Sequence, residues 1–127
     1  MKFQPDTPSG TNVITRQESA RIWVGGNAFE GSLLVPWQGP VLPWDVPRFE
    51  ALTEAHFARI AELSPEVVIF GSGQRLRFPP PALIRPLIER RIGVETMDTA
   101  AACRTYNVLA AEHRAVAAAL LIEGGNS

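Results

Sequence analysis

Residues 66–73, Glu-Val-Val-Ile-Phe-Gly-Ser-Gly, decide the fold of this chain. The run from Glu66 to Phe70 is rich in β-branched and aromatic side chains, which is typical of a strand buried on both faces, as in a parallel sheet. Glycine follows directly, and a turn of this kind presents backbone amides that can hold an anion. Because ligands of open α/β sheets bind outside the carboxyl ends of the strands, this edge is the first candidate for a functional site.

A helix is predicted downstream of this strand. It begins near Pro81, since proline fits the first helical turn, and Gly93 is expected to stop it, since glycine commonly follows a helix C-terminus. Pro86 conflicts with a regular helix over this stretch. The sequence leaves two alternatives here, because Pro86 either kinks the helix or delays its start.

A short strand over residues 94–97 and a third helix follow. Asp98 or Thr99 caps this helix, and it extends to about residues 109–112, because its alanines favour helix strongly. The final apolar run, residues 115–122, stays open between a helix and a buried strand, since periodicity does not separate the two. If it is a strand, two strand–helix–strand units result, and their strands are parallel.

The first part of the chain is predicted to form β-hairpins. Residues 12–16 and 20–24 are short β-like runs. The Gly-Gly-Asn sequence at residues 25–27 favours a tight turn. Residues 28–35 are then expected to return as one strand, with a bulge or bend at Gly31.

A first helix begins after Thr53, a good N-cap residue, and ends before the Ser-Pro pair at residues 64–65. The predicted fold class is therefore α/β: a single-domain layered β/α fold with a mixed central sheet, N-terminal β-hairpins and about three helices. The expected domain spans residues 12–122, with a flexible N-terminus over residues 1–11 and a flexible C-terminal tail over residues 123–127.

The composition argues against several classes of function and location. The chain has 127 residues, 12 basic and 13 acidic, so it fits one domain and lacks the basic surface that nucleic acid requires. One cysteine and two histidines do not make a standard zinc site, so neither a metal nor another cofactor is expected. No apolar run spans a membrane, and the N-terminus resembles neither a secretory signal nor a transit peptide. A cytoplasmic protein, monomeric or weakly dimeric, is expected.

A ligand site is one hypothesis for the strand-end edge. Gly71, Ser72, Gly73 and Gln74 follow the buried strand, but the third glycine of a dinucleotide fingerprint is absent and no P-loop lysine is present. Ser72 would need a glycine two positions earlier and a histidine base to act as a nucleophile, so no catalytic residue is assigned. The rest of the expected site comprises Asp98, Thr99 and Arg104, although capping of a helix also explains the first two.

A proline-rich stretch over residues 36–47 carries two tryptophans. Its four prolines forbid a regular helix or a central strand. Trp37 and Trp44 either pin this loop to the core or serve as aromatic anchors for a partner protein, since such side chains dominate binding hot spots.

Several stretches taken together are similar to the Mth-domain family of small proteins. They are residues 29–35, 66–73, 93–100, 102–109 and 112–114. The resemblance implies a layered β/α domain with a mixed sheet, makes the final apolar run a strand and brings no assigned catalytic residues. Mitochondrial members of the family act in complex I biogenesis, which implies a non-enzymatic interaction or assembly role with an unknown protein partner. The alternative is a small-ligand or anion-binding domain, an enzyme among the options.

Overall fold

The structure, a computed structural model, describes residues 10–123. The strands are β1 (Ile14–Glu18), β2 (Arg21–Val24), β3 (Asn27–Phe29), β4 (Leu33–Pro36), β5 (Leu42–Pro43), β6 (Val67–Gly71), β7 (Gly93–Met97) and β8 (Val116–Leu120). The helices are α1 (Glu54–Ala61), α2 (Arg85–Glu89) and α3 (Thr99–Ala111), and single 3₁₀ turns lie at Phe49–Ala51 and Pro81–Ile84. Most of the expected flexible ends, residues 1–9 and 124–127, lie outside the described residues.

The strands form two sheets. β1, β2 and β3 make an antiparallel sheet, and the larger sheet has the order β5-β4-β8-β6-β7. β6 pairs in parallel with β7 and β8, whereas β4 runs antiparallel to β8. The final apolar run is therefore a strand, and it lies between β4 and β6 with all five residues buried. The predicted α/β fold with a mixed central sheet is confirmed.

Hydrophobic side chains fill both faces of the larger sheet. On one face, Ile69 belongs to a core cluster that includes Tyr106 of α3 and Ile22 of the smaller sheet. On the other face, Phe70 belongs to a second cluster that includes Phe57 of α1. Successive residues of β6 point to opposite faces, so both clusters need the unbroken apolar run that the sequence shows.

The predicted strand over residues 28–35 is wrong in one respect. β3 ends at Phe29 and pairs with β2, whereas β4 begins at Leu33 and pairs with β8. The chain thus leaves the smaller sheet and enters the larger one within residues 30–32. Gly31 lies exposed at this crossing, which is the bend expected there.

The second helix starts later than Pro81. A 3₁₀ turn covers Pro81–Ile84, and Pro86 lies in the first turn of α2, where its missing N–H leaves no hydrogen bond unmade. Gly93 is not the helix stop that the sequence predicts. Arg91 takes the positive φ angle of 59° after α2 instead, and Gly93 opens β7 opposite Val67.

The predicted caps of the other two helices are present. Thr53 precedes α1, and its backbone N–H donates to Nδ1 of His56 at 2.9 Å. Asp98 precedes α3 and accepts the Ala101 N–H at 2.8 Å. Both bonds satisfy backbone or side-chain groups at a helix start that would otherwise lack partners.

Candidate functional site

The strand-end edge joins the two predicted parts of the site. The Ser72 N–H donates to the Met97 carbonyl at 2.9 Å, and the Thr99 N–H donates to the Gly73 carbonyl at 2.8 Å. The Gly73 N–H in turn donates to Oγ1 of Thr99 at 2.9 Å. The turn after β6 and the start of α3 are therefore locked together, because parallel strands bring their carboxyl ends to one edge.

Glycine is required at both positions of this turn. A Cβ at Gly71 would lie 2.9 Å from the Thr99 Cα, so α3 packs directly on the backbone of β6. Gly73 has φ of +103°, and a Cβ there would lie 2.6 Å from Nη2 of Arg77. The glycines serve close packing at this edge.

The Gly71→Ala variant is expected to lose about 1–3 kcal/mol of unfolding free energy, because its methyl group overpacks a backbone contact that does not yield. Urea unfolding measures this loss. Gly31→Ala is the matched control, since nothing lies within 4 Å of a Cβ at Gly31. Equal stability of the two variants would contradict the packing described for Gly71.

The Ser72 hydroxyl is a structural group. The residue is fully buried, and its Oγ donates to the Arg75 carbonyl at 2.8 Å and accepts the Arg77 N–H at 3.0 Å. It also lies 3.2 Å from the Met97 carbonyl. Each of these partners is a backbone group, so the geometry of a nucleophile with a histidine base is not present at Ser72.

A cleft of about 220 Å³ opens beside this edge. Four predicted ligand residues line it, namely Gly73, Gln74, Asp98 and Thr99, together with Glu123 and residues of the smaller sheet. Its two carboxylates do not favour an anion, and the Thr99 hydroxyl already donates to the Leu121 carbonyl at 2.9 Å.

The remaining predicted ligand residues lie elsewhere. Gly71 and Ser72 are buried and are not among the residues that line the cleft. Arg104 lines a separate hollow of about 190 Å³ between α3 and β1. Its neighbour Cys103 is buried, and burial raises the pKa of this thiol to about 12, so it stays protonated. Within residues 10–123, no cluster of three or more histidine, cysteine or acidic side chains is arranged to hold a metal ion.

An ion pair that the sequence analysis did not find closes the edge. Nη2 of Arg77 lies 2.6 Å from Oε1 of Glu123 and donates to the Ser72 carbonyl at 2.6 Å. The guanidinium lies 4.7 Å from the centroid of the Phe49 ring, and Oε2 of Glu123 accepts the Phe49 N–H at 2.7 Å. Both charged side chains are largely shielded from water, with 17% and 25% of their surfaces exposed. Glu123 is thus held in place at the first position of the expected tail.

Acid is expected to weaken this contact. Burial by itself raises the pKa of the Glu123 carboxyl, but the Phe49 N–H and the Arg77 guanidinium outweigh it and hold that pKa below its ordinary value. A lowered pKa in the folded state stabilises the protein above the unfolded-state pKa of about 4.3, and that stabilisation is lost as pH falls through the folded-state pKa.

The comparison of wild type with Glu123→Gln in urea at pH 7 and pH 3 tests this expectation. Wild type should be the more stable protein at pH 7, and the gap should shrink on acidification. A gap that stays constant would show that the carboxylate charge at Glu123 does not contribute.

Two exposed apolar side chains flank Arg77 on the segment that we call the 74–80 loop, residues 74–80. Leu76 is 53% exposed and Phe78 is 68% exposed. The sequence signal for them is the Arg-Leu-Arg-Phe run followed by three prolines. Proline has no backbone N–H to donate within a sheet, so the three prolines prevent this stretch from continuing as a central strand. Leu76 and Phe78 are therefore not buried as strand residues would be.

The two tryptophans do not form a common surface. Trp44 is 2% exposed and lies in the core, edge-on to Phe57 at 5.9 Å and to Phe70 at 6.1 Å between ring centroids. Trp37 is partly buried against the opposite core cluster. Trp44 therefore pins the proline-rich stretch to the core and presents no indole ring to a partner.

Comparison with solved structures defines the class of this domain. It is similar to a crystal structure of a Bordetella parapertussis protein, with a TM-score of 0.85 and 38% identity over 91% of this chain and 99% of that one. It is also similar to an NMR structure of a Bordetella pertussis Mth938-like domain, with a TM-score of 0.83 and 32% identity over 98% of this chain and 94% of that one. The fold is that of a Mth938-like domain.

The chain belongs to the family described as "Protein of unknown function (DUF498/DUF598)", which it matches over residues 14–121. The suspected Mth-domain resemblance is thereby confirmed. A curated relative is NADH dehydrogenase [ubiquinone] 1 alpha subcomplex assembly factor 3 of Bos taurus, 34% identical over 98% of this chain and 68% of the relative. None of the helices in residues 10–123 has the length and apolar character that crossing a membrane requires.

Proposed function

We propose that this chain is a non-enzymatic protein-interaction domain that takes part in the assembly of an NADH dehydrogenase, with the 74–80 loop as its contact surface. The single observation that carries the proposal is the exposure of Leu76 and Phe78 on a loop whose backbone is held by hydrogen bonds to the buried Ser72. Similarity to a curated assembly factor supports the kind of process. Exposed apolar groups that are held in place are typical of binding surfaces.

The buried groups beneath the loop prepare it for binding. Ser72 holds the backbone on both sides of Leu76, and Arg77 is held by Glu123. The backbone at Pro80, with φ of −55° and ψ of 138°, has the extended conformation of a polyproline helix. A loop that is ordered before binding loses less conformational entropy when the partner arrives, so two apolar side chains contribute more affinity.

The cleft supports the ligand alternative less well. Among its polar groups, Asp98 accepts a helix N–H, Thr99 is bonded on both sides and Glu123 is paired with Arg77. Gln74 is exposed at the rim. These bonds support a role for Asp98, Thr99 and Glu123 in holding the edge together, because they use polar atoms that a ligand would need.

Complementation tests the proposed function. Cells of the source organism from which the gene has been deleted receive the wild-type protein or one of three variants, Phe78→Ser, Leu76→Ser or Val108→Ser. Val108→Ser is the control, because it changes a side chain that is 57% exposed but lies on α3. Assembled NADH dehydrogenase is measured on native gels, and the melting temperature of each purified variant is compared with that of wild type.

Wild type and the α3 control should restore the assembled enzyme. Phe78→Ser should lower restoration at least about tenfold, because loss of one anchor side chain at a hot spot costs about 2 kcal/mol or more of binding and about 1.4 kcal/mol already corresponds to a tenfold change. Its melting temperature should stay close to that of wild type. Full restoration by both loop variants would refute the loop as the contact surface. Normal enzyme levels in cells without the gene would refute the assembly role itself.

A further inference from the structure

We infer that the partner segment recognised by the 74–80 loop is an acidic stretch of protein with an apolar side chain among its carboxylates. This inference rests on the proposed function and adds the chemistry of the partner. It follows from the charge around the loop, from the arginines that remain unpaired and from the acidic groups at its rim.

Charge is distributed unevenly along the chain. Residues 74–91 hold five of the twelve basic residues, all arginine, but only one of the thirteen acidic ones. The chain as a whole carries a net charge of −1. The loop and the turn and helix that follow it therefore form a basic segment on an otherwise acidic protein, and complementary charge steers and selects a partner.

Part of this positive charge is free. Arg77 is occupied by Glu123, and Arg90 donates to the Ala61 carbonyl. In contrast, Arg75, Arg85 and Arg91 are exposed, and within residues 10–123 no carboxylate lies at ion-pair distance from any of them. Arg75 lies on the loop, beside the apolar side chains, and its charge also helps to lower the pKa of the Glu123 carboxyl. Arg85 lies at the start of α2, whereas Arg91 lies just before β7, whose first residue pairs with Val67 at the opposite end of β6 from the loop. Two unpaired guanidinium groups, Arg75 and Arg85, therefore belong to the contact surface.

Apolar and basic side chains are neighbours both on the loop and on α2. Arg75 precedes Leu76 directly on the loop. On α2, Arg85 lies one turn before Ile88, which is 57% exposed, so the two side chains share an exposed face. A partner that fits this arrangement presents carboxylates on either side of an apolar side chain. The planar guanidinium binds a carboxylate through two parallel hydrogen bonds.

Two exposed glutamates favour a protein over an anionic membrane as the binding partner. Glu50, whose side chain is 67% exposed, lies 3.8 Å from Arg77, and Glu89 is exposed on α2. A bilayer surface presents uniform negative charge and is repelled by carboxylates at the rim, whereas a protein segment can place its acidic groups against the arginines and avoid the glutamates.

Photo-crosslinking in native cells tests the inference. The probe is p-benzoylphenylalanine in place of Leu76, which leaves Phe78 and the arginines intact, and crosslinked peptides are identified by mass spectrometry. The same probe is combined with Arg75→Glu, and with Arg104→Glu as a control that reverses an exposed arginine against β1.

The crosslinked peptide should carry several aspartates or glutamates close to an apolar residue, and Arg75→Glu should lower its yield at least about tenfold, since loss of a charge pair at an interface weakens binding by this much or more. Arg104→Glu should leave the yield unchanged.

A crosslink to a neutral or basic segment, or a yield that Arg75→Glu does not change, overturns the acidic partner but keeps the contact surface. Crosslinks to lipid, together with binding to phosphatidylglycerol vesicles, overturn the choice of a protein. The absence of any crosslink at Leu76 counts against the proposed function itself.

Discussion

Trp44→Ala is expected to lower the unfolding free energy by about 3–5 kcal/mol, the range for removal of a large aromatic side chain from a core. Trp44 is 2% exposed and packs edge-on against Phe57 and Phe70. Its Nε1–H also donates to the His56 carbonyl at 3.1 Å. The substitution removes the aromatic contacts and this hydrogen bond together, and the cavity lies where the proline-rich stretch meets α1.

Trp37→Ala is the matched control, because Trp37 belongs to the same stretch but is only partly buried. Urea unfolding followed by circular dichroism measures both variants. The loss for Trp44→Ala should exceed the loss for Trp37→Ala by at least about 1.5 kcal/mol, since burial sets the cost of truncation. Similar losses for the two would contradict the assignment of Trp44 to the core.

Arg77→Ala is expected to cost about 3 kcal/mol, the lower end of the range for a shielded ion pair that loses one partner. The change leaves the Glu123 carboxylate without its cation and the Ser72 carbonyl without a donor. It also removes the guanidinium from the Phe49 ring. The 74–80 loop then loses its central anchor, so its amide hydrogens should exchange faster than those of the wild-type loop.

Arg77→Lys separates charge from geometry. Lysine keeps the positive charge but cannot bond the carboxylate and the carbonyl through one planar group, so it should recover part of the stability and little of the loop order. Hydrogen exchange measured by mass spectrometry follows residues 74–80, with α3 as the internal reference. Unchanged exchange in the loop of Arg77→Ala would show that Ser72 alone holds it, and the account of Arg77 as the anchor would be wrong.

Local sequence patterns determined most of the elements. The apolar run before Gly71 predicted β6, and the pair Asp98 and Thr99 predicted the start of α3, because burial on both faces and capping leave signals within a few residues. The grouping of Gly73 and Asp98 at one edge also followed from the sequence, since parallel strands end on the same side.

Only the tertiary structure decided which polar groups at that edge are free. Arg77 and Glu123 lie 46 positions apart, and no residue pattern near either one predicts that they form an ion pair. The same holds for Trp44, which is buried because α1 and β6 converge on it, and for Phe78, which is exposed because neither sheet reaches it. Pairing and burial depend on which distant segments come into contact in the folded chain, and a local pattern of residue types does not predict those contacts.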